Sequence, residues 1–94
     1  MTSNRIWDVD VVVMPKAGVN DPEGEAILGG LNMLGYDSVA RVRAGRLIRL
    51  EIGAADEDEA KELAAAMADR LLANPVIEVF DVTVAGEAEK VVTR

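Results

Sequence analysis

Met14-Pro15-Lys16-Ala17-Gly18-Val19-Asn20-Asp21-Pro22-Glu23-Gly24 is the stretch on which the fold turns. Before it runs Val9-Asp10-Val11-Val12-Val13, and Pro15, with no N–H to donate, ends that run as a ladder strand. Asp21-Pro22 then opens a helix: Asp accepts the first free helix N–H groups, and Pro suits the first helical position. Gly18 supplies freedom for φ > 0 inside the turn. This stretch thus switches the side-chain period from two to 3.6, a strand-to-helix connection.

Such a connection invites comparison with a phosphate loop, and the residues argue against it. Gly18 and Gly24 are separated by five residues, and Glu25 stands where a phosphate loop requires Lys. Asp21 also places negative charge at the helix N-terminus that an anion would occupy. Pro15, Asp21, Pro22 and Gly24 are therefore assigned as turn and cap residues.

Working outward, Trp7, Val9, Val11 and Val13 share one face of a first strand, with Asp8, Asp10, Val12 and Met14 on the other. The first helix carries Ile27, Leu28, Leu31 and Leu34 at helical spacing and stops at Gly35. Gly29-Gly30 within it cost roughly 0.5–1 kcal/mol each relative to Ala. They mark either a weak solvent face or a place where another chain's backbone approaches.

Ser38–Arg43 and Arg46–Gly53 read as two strands joined in a hairpin at Ala44-Gly45, the alternative being one long bent strand. A second helix begins at Asp56, with Glu59 completing a capping-box pattern, and its apolar stripe is Ala60, Leu63, Ala64, Met67 and Leu71. Asn74-Pro75 ends it. A last strand, Val76 to Val84, places Phe80, Val82 and Val84 on one face. The order β-α-β-β-α-β predicts an α+β, ferredoxin-like sandwich: a four-stranded antiparallel sheet with two helices on one face. Residues 1–86 form one domain in this reading, and 87–94 a polar C-terminal tail.

Composition narrows the chemistry. The 94 residues hold no Cys and no His, and 10 basic against 17 acidic side chains give a net charge of −7. The commonest general base, thiolate nucleophiles and most metal sites are absent as residue types. Net acidity disfavours nucleic acid and anionic membrane as partners. Glu57, Asp58, Glu59 and Glu62 are the solvated half of an amphipathic helix, without the contrasting environments an acid–base pair needs. No catalytic, cofactor-binding or metal residue is assigned. No apolar run approaches the ~18 residues of a membrane span, and the N-terminus is not read as a signal peptide, so a cytoplasmic location is expected.

Four motifs recur together: Pro15-Lys16-x-Gly18-Val19-x-Asp21-Pro22-x-Gly24, Leu34-Gly35-Tyr36, Val42-Arg43-x-Gly45-Arg46, and Leu71-Leu72-Ala73-Asn74-Pro75-Val76-Ile77-Glu78. In this order and spacing they closely resemble the PurS family, the small subunit of phosphoribosylformylglycinamidine synthase. The chain departs from common family residues at Asn20, Glu23, Arg46 and Phe80, where Leu, Gln, Lys and Tyr are frequent. The resemblance implies membership of a purine-biosynthetic ligase complex that makes the amidine from formylglycinamide ribonucleotide, ATP and glutamine. ATP and Mg belong to the large synthetase subunit, and ammonia comes from a separate glutaminase subunit. The small subunit itself is implied to be a non-catalytic homodimer or dimer of dimers joining the two. Lys16, Gly18, Arg43 and Arg46 are the candidate interface residues. The competing class is an effector-binding regulatory domain of similar topology.

Overall fold

The structure is a computed structural model and describes residues 5–87. β1 (Arg5–Pro15) leads into α1 (Pro22–Met33), followed by β2 (Arg46–Ala54), α2 (Glu57–Met67), a π-helical turn (Ala68–Leu72) and β3 (Glu78–Glu87). The alternating, β-branched β1 takes the centre of a three-stranded antiparallel sheet of order β2-β1-β3. The pleat aligns Trp7 with Ile52, Val9 with Leu50 and Val11 with Ile48 on one side. On the other side it aligns Val9 with Val84, Val11 with Val82 and Val13 with Phe80, with a register shift at Asp8/Val9.

The core lies between this face and α2. Val9, Val11 and Val13 are buried beneath Ala60, Ala64 and Ala68, a row of small side chains one helical turn apart. Alanines let the helix axis come close to the sheet. The apolar stripe is consequently narrower than the sequence suggests: Leu63, Met67 and Leu71 flank it, half-exposed or exposed. At its start, Asp56 accepts a hydrogen bond from the Glu59 N–H at 2.8 Å, and the Glu59 carboxylate accepts from the Ala55 N–H at 2.7 Å. At its end the chain widens into the π turn, closed by the Ala73 N–H to the Ala68 carbonyl at 2.9 Å.

Two features of the expected sandwich differ in this chain. Ser38–Arg43 is not a paired strand, so three strands rather than four form the sheet. α1 does not lie on the sheet with α2: only Gly24 in its first turn is buried, and none of its side chains joins the core. The physical reason sits at the junction before β2. Instead of turning as a hairpin at Ala44-Gly45, the chain is tied there to the β1–α1 loop, as described below. β3 also runs past Val84 to Glu87, and the rest of the expected tail lies outside the described residues.

Candidate functional site

The motif residues of the β1–α1 loop and of the segment before β2 meet at one place. Lys16 to Val19 forms a tight turn, closed by the Val19 N–H to the Lys16 carbonyl at 3.1 Å, with Gly18 at φ +84°. Asp21 follows as N-cap of α1, its Oδ1 accepting from the Gly24 N–H at 3.0 Å. Its second oxygen accepts from the Ala44 N–H at 2.8 Å. These two backbone donors, Ala44 first, hold the Asp21 carboxyl below the usual carboxylate range, with the Arg43 charge adding to the effect.

Arg43 completes the tie. Its guanidinium donates to the Pro15 and Lys16 carbonyls, both at 2.8 Å, and its Nε lies 3.9 Å from Asp21. The two ends of the segment between β1 and β2 are thus bound to each other across nearly thirty residues. Gly24 permits the close approach, since a Cβ there would stand 2.5 Å from the Val42 carbonyl oxygen. α1 and residues 38–43 therefore leave the sheet as one arm, rooted at Asp21 and Arg43.

Arg46 makes a second tie beyond the root. It pairs with Glu78 at 2.9 Å and donates to the Leu72 carbonyl at 2.6 Å, joining β2, the π turn and the start of β3. Glu78 in turn accepts from the Asn74 N–H at 2.8 Å, and both contacts, Arg46 first, lower its pKa. The Asn74 side chain accepts from the Val76 N–H at 3.1 Å, closing the turn around Pro75. Two open clefts flank the root. One, of about 590 Å³, lies between Asp21, Glu25, Leu28, Val42 and Arg43. The other, of about 490 Å³, lies between Pro15, Pro22, Arg46, Ile77 and Glu78.

Of the four candidate interface residues, the structure brings Lys16, Gly18 and Arg43 together at the root. It places Arg46 at the edge of the neighbouring cleft. Arg43 and Arg46 are committed to contacts within the chain. The structural role of Arg43 leaves no trace in the sequence, because its partners are backbone carbonyls, which make no side-chain pattern to read. On the open face of the sheet, Arg49 grips Asp10 through two hydrogen bonds, 2.7 and 3.0 Å, an ordinary cross-strand pair. That contact lowers the Asp10 pKa and raises that of Arg49. Among the described residues no helix is long and apolar enough to cross a membrane, and no cluster of three or more acidic residues could hold a metal ion.

The described residues define a small α+β subunit whose polar side chains knit the root of an arm rather than converge on a reaction centre. The chain belongs to the PurS family, described as phosphoribosylformylglycinamidine (FGAM) synthase, whose model matches residues 8–86. It is 42% identical over 73 residues to the Archaeoglobus fulgidus phosphoribosylformylglycinamidine synthase subunit PurS, covering 78% of this chain and 91% of the relative. The crystal structure of Methanocaldococcus jannaschii PurS, described as one of the subunits of formylglycinamide ribonucleotide amidotransferase, matches with a TM-score of 0.76. That match is 34% identical and covers 87% of this chain and 99% of the neighbour. A chain in the structure of PurLQS from Thermotoga maritima matches with a TM-score of 0.77 at 30% identity, covering 84% of this chain and 96% of that one.

Proposed function

We propose that this chain is the non-catalytic small subunit of an FGAM synthase complex, joining the glutaminase and synthetase subunits so that ammonia passes between them. The observation that carries the reading is the near end-to-end likeness to a chain of the PurLQS structure, covering 84% of this chain and 96% of that one. The absence of His and Cys from the sequence accords with chemistry carried by other subunits. ATP and Mg are then used by the large subunit. The chain acts in the cytoplasm as a homodimer or dimer of dimers, and the ferredoxin-like sandwich is completed in that assembly. The Lys16–Val19 turn and the cleft bearing Arg46 are the surfaces offered to partners.

Positioning of this kind acts as effective concentration: a bridged pair of sites meets far more often than two free enzymes. The test is co-expression of the tagged chain with the large synthetase and glutaminase subunits. Recovery of both on the tagged chain is expected. Recovery of neither, from subunits that are folded and active alone, contradicts the reading.

A further inference from the structure

Residues 71–78 lead from the π turn into β3, and their backbone is tied down while their aliphatic side chains point outward. Pro75 has no N–H, and the N–H groups of Asn74, Val76, Ile77 and Glu78 all donate within the chain. Arg46 donates to the Leu72 carbonyl, of the kind a helix end leaves without a partner, and its pairing with Glu78 holds the other side of the turn. The Lys16 N–H donates to the Ile77 carbonyl at 2.8 Å, fastening the stretch to the end of β1. Yet Leu71 is 82% and Val76 76% exposed, and Ile77 and Val79 are exposed as well.

A cleft of about 270 Å³ opens against this stretch, lined by Asp69, Ala73, Pro75, Glu78, Val79 and Phe80. Pockets for small molecules run from about 300 to 1,000 Å³, so the space suits a protein side chain better than a free ligand. Ala73, Pro75, Val79 and Phe80 make it apolar. Asp69 adds an exposed carboxylate, and Asp81 follows Val79 on the same face of β3. Neither acid has an ion-pair partner among the described residues. Glu78 lines both this cleft and the one bearing Arg46, so the two form one continuous surface.

We infer that residues 71–79 and this cleft are a docking surface for the synthetase subunit, which supplies an apolar side chain flanked by Lys or Arg. The inference rests on the complex proposed above and names one surface that makes it. A backbone already held in place loses little freedom on binding, so the exposed aliphatic side chains act as ready anchors. Asp69 and Asp81 then meet the flanking cations. A second copy of this chain fits less well. In an isologous contact each copy would set these acids against the same acids, in a chain of net charge −7. Permanent complexes have the more apolar interfaces, and the synthetase is the subunit at which delivery of ammonia must end.

The test is the affinity of the full-length chain for the purified synthetase subunit, measured by calorimetry, with the glutaminase subunit as a second titrant. Leu71→Asp and Val76→Asp should each weaken synthetase binding by roughly 10-fold or more, because each sets a carboxylate into an apolar contact. Asp69→Lys should weaken it too, and that loss should shrink as salt is raised, as for a charge at an interface rim. All three side chains are exposed, so the variants should melt and sediment as the wild-type chain does. Should an aspartate variant melt early, Val76→Ser gives the same comparison without a new charge. Wild-type chain that binds neither subunit overturns the proposed complex and this surface together. Unchanged synthetase binding by all the variants overturns the surface alone, and so does a loss confined to glutaminase binding. Variants that fold but sediment as smaller species than the wild type place the patch between copies of this chain, and overturn the inference as well.

Discussion

The Asp21 carboxylate accepts the Ala44 backbone N–H at 2.8 Å, so the first residue of one helix's cap also fixes the start of the next strand. One side chain thereby sets both where α1 begins and where the arm returns to the sheet. Asp21→Ala removes the acceptor for two backbone donors and should lower the melting temperature by roughly 4–8 °C, as loss of an N-cap does in a domain this small. Asp21→Asn, which keeps an acceptor oxygen, should recover part of it. Thermal circular dichroism on the three chains checks the order.

Acid should destabilise the protein in a defined window. Asp10, Asp21 and Glu78 all have folded-state pKa values below their ordinary values of about 4. A carboxyl with a depressed folded pKa contributes stability fully present above its unfolded pKa and lost as pH falls through its folded one. With no His in the chain, stability should be flat from about pH 5.5 to 8 and fall below about pH 4. Urea titrations across that range test this, and a transition near pH 6.5 would contradict it.

The glycines of α1 should respond in opposite directions. Gly24→Ala drives a Cβ to 2.5 Å from both the Val42 carbonyl oxygen and the Asp21 carboxylate, costing about 1–3 kcal/mol as the root is forced apart. Gly29→Ala meets nothing within 4 Å and should strengthen α1 by roughly 0.5–1 kcal/mol. Denaturant midpoints and helical ellipticity separate the two.

Under α2, Ala64 is fully buried against the valines of β1. Ala64→Leu should cost about 1–3 kcal/mol by lifting the helix from the sheet. Leu63→Ala, on the half-exposed flank, should cost less in a monomer. Urea midpoints of the two variants at low protein concentration give the comparison.

Much of this architecture is legible in local sequence. The alternation of Trp7, Val9, Val11 and Val13 gives the central strand and its buried face. Asp21-Pro22 and Asp56 mark where the helices start, because caps act within three residues. The unpaired state of residues 38–43 is not legible, because it depends on Arg43 meeting the Pro15 and Lys16 carbonyls 28 and 27 positions away. Alternation in that segment shows a capacity to pair and is silent on the partner. The width of the α2 stripe is not legible for a similar reason: a helical period of Leu, Met and Ala places an apolar face without saying how much of it the fold covers. At the root, the glycines and the cap were visible as a motif, whereas the role of Arg43 passes through backbone acceptors common to every residue.

The central claim is that this chain positions two enzymes rather than performing a step. The measurement that tests it most directly is FGAM formation by the synthetase and glutaminase subunits, with and without this chain, using either glutamine or ammonium salt as nitrogen source. Omitting the chain should collapse the glutamine-dependent rate while the ammonia-dependent rate of the synthetase largely persists, because only delivery has been lost. Equal loss of both rates on omission would mean that the chain supports the synthetase site itself, and would contradict the account.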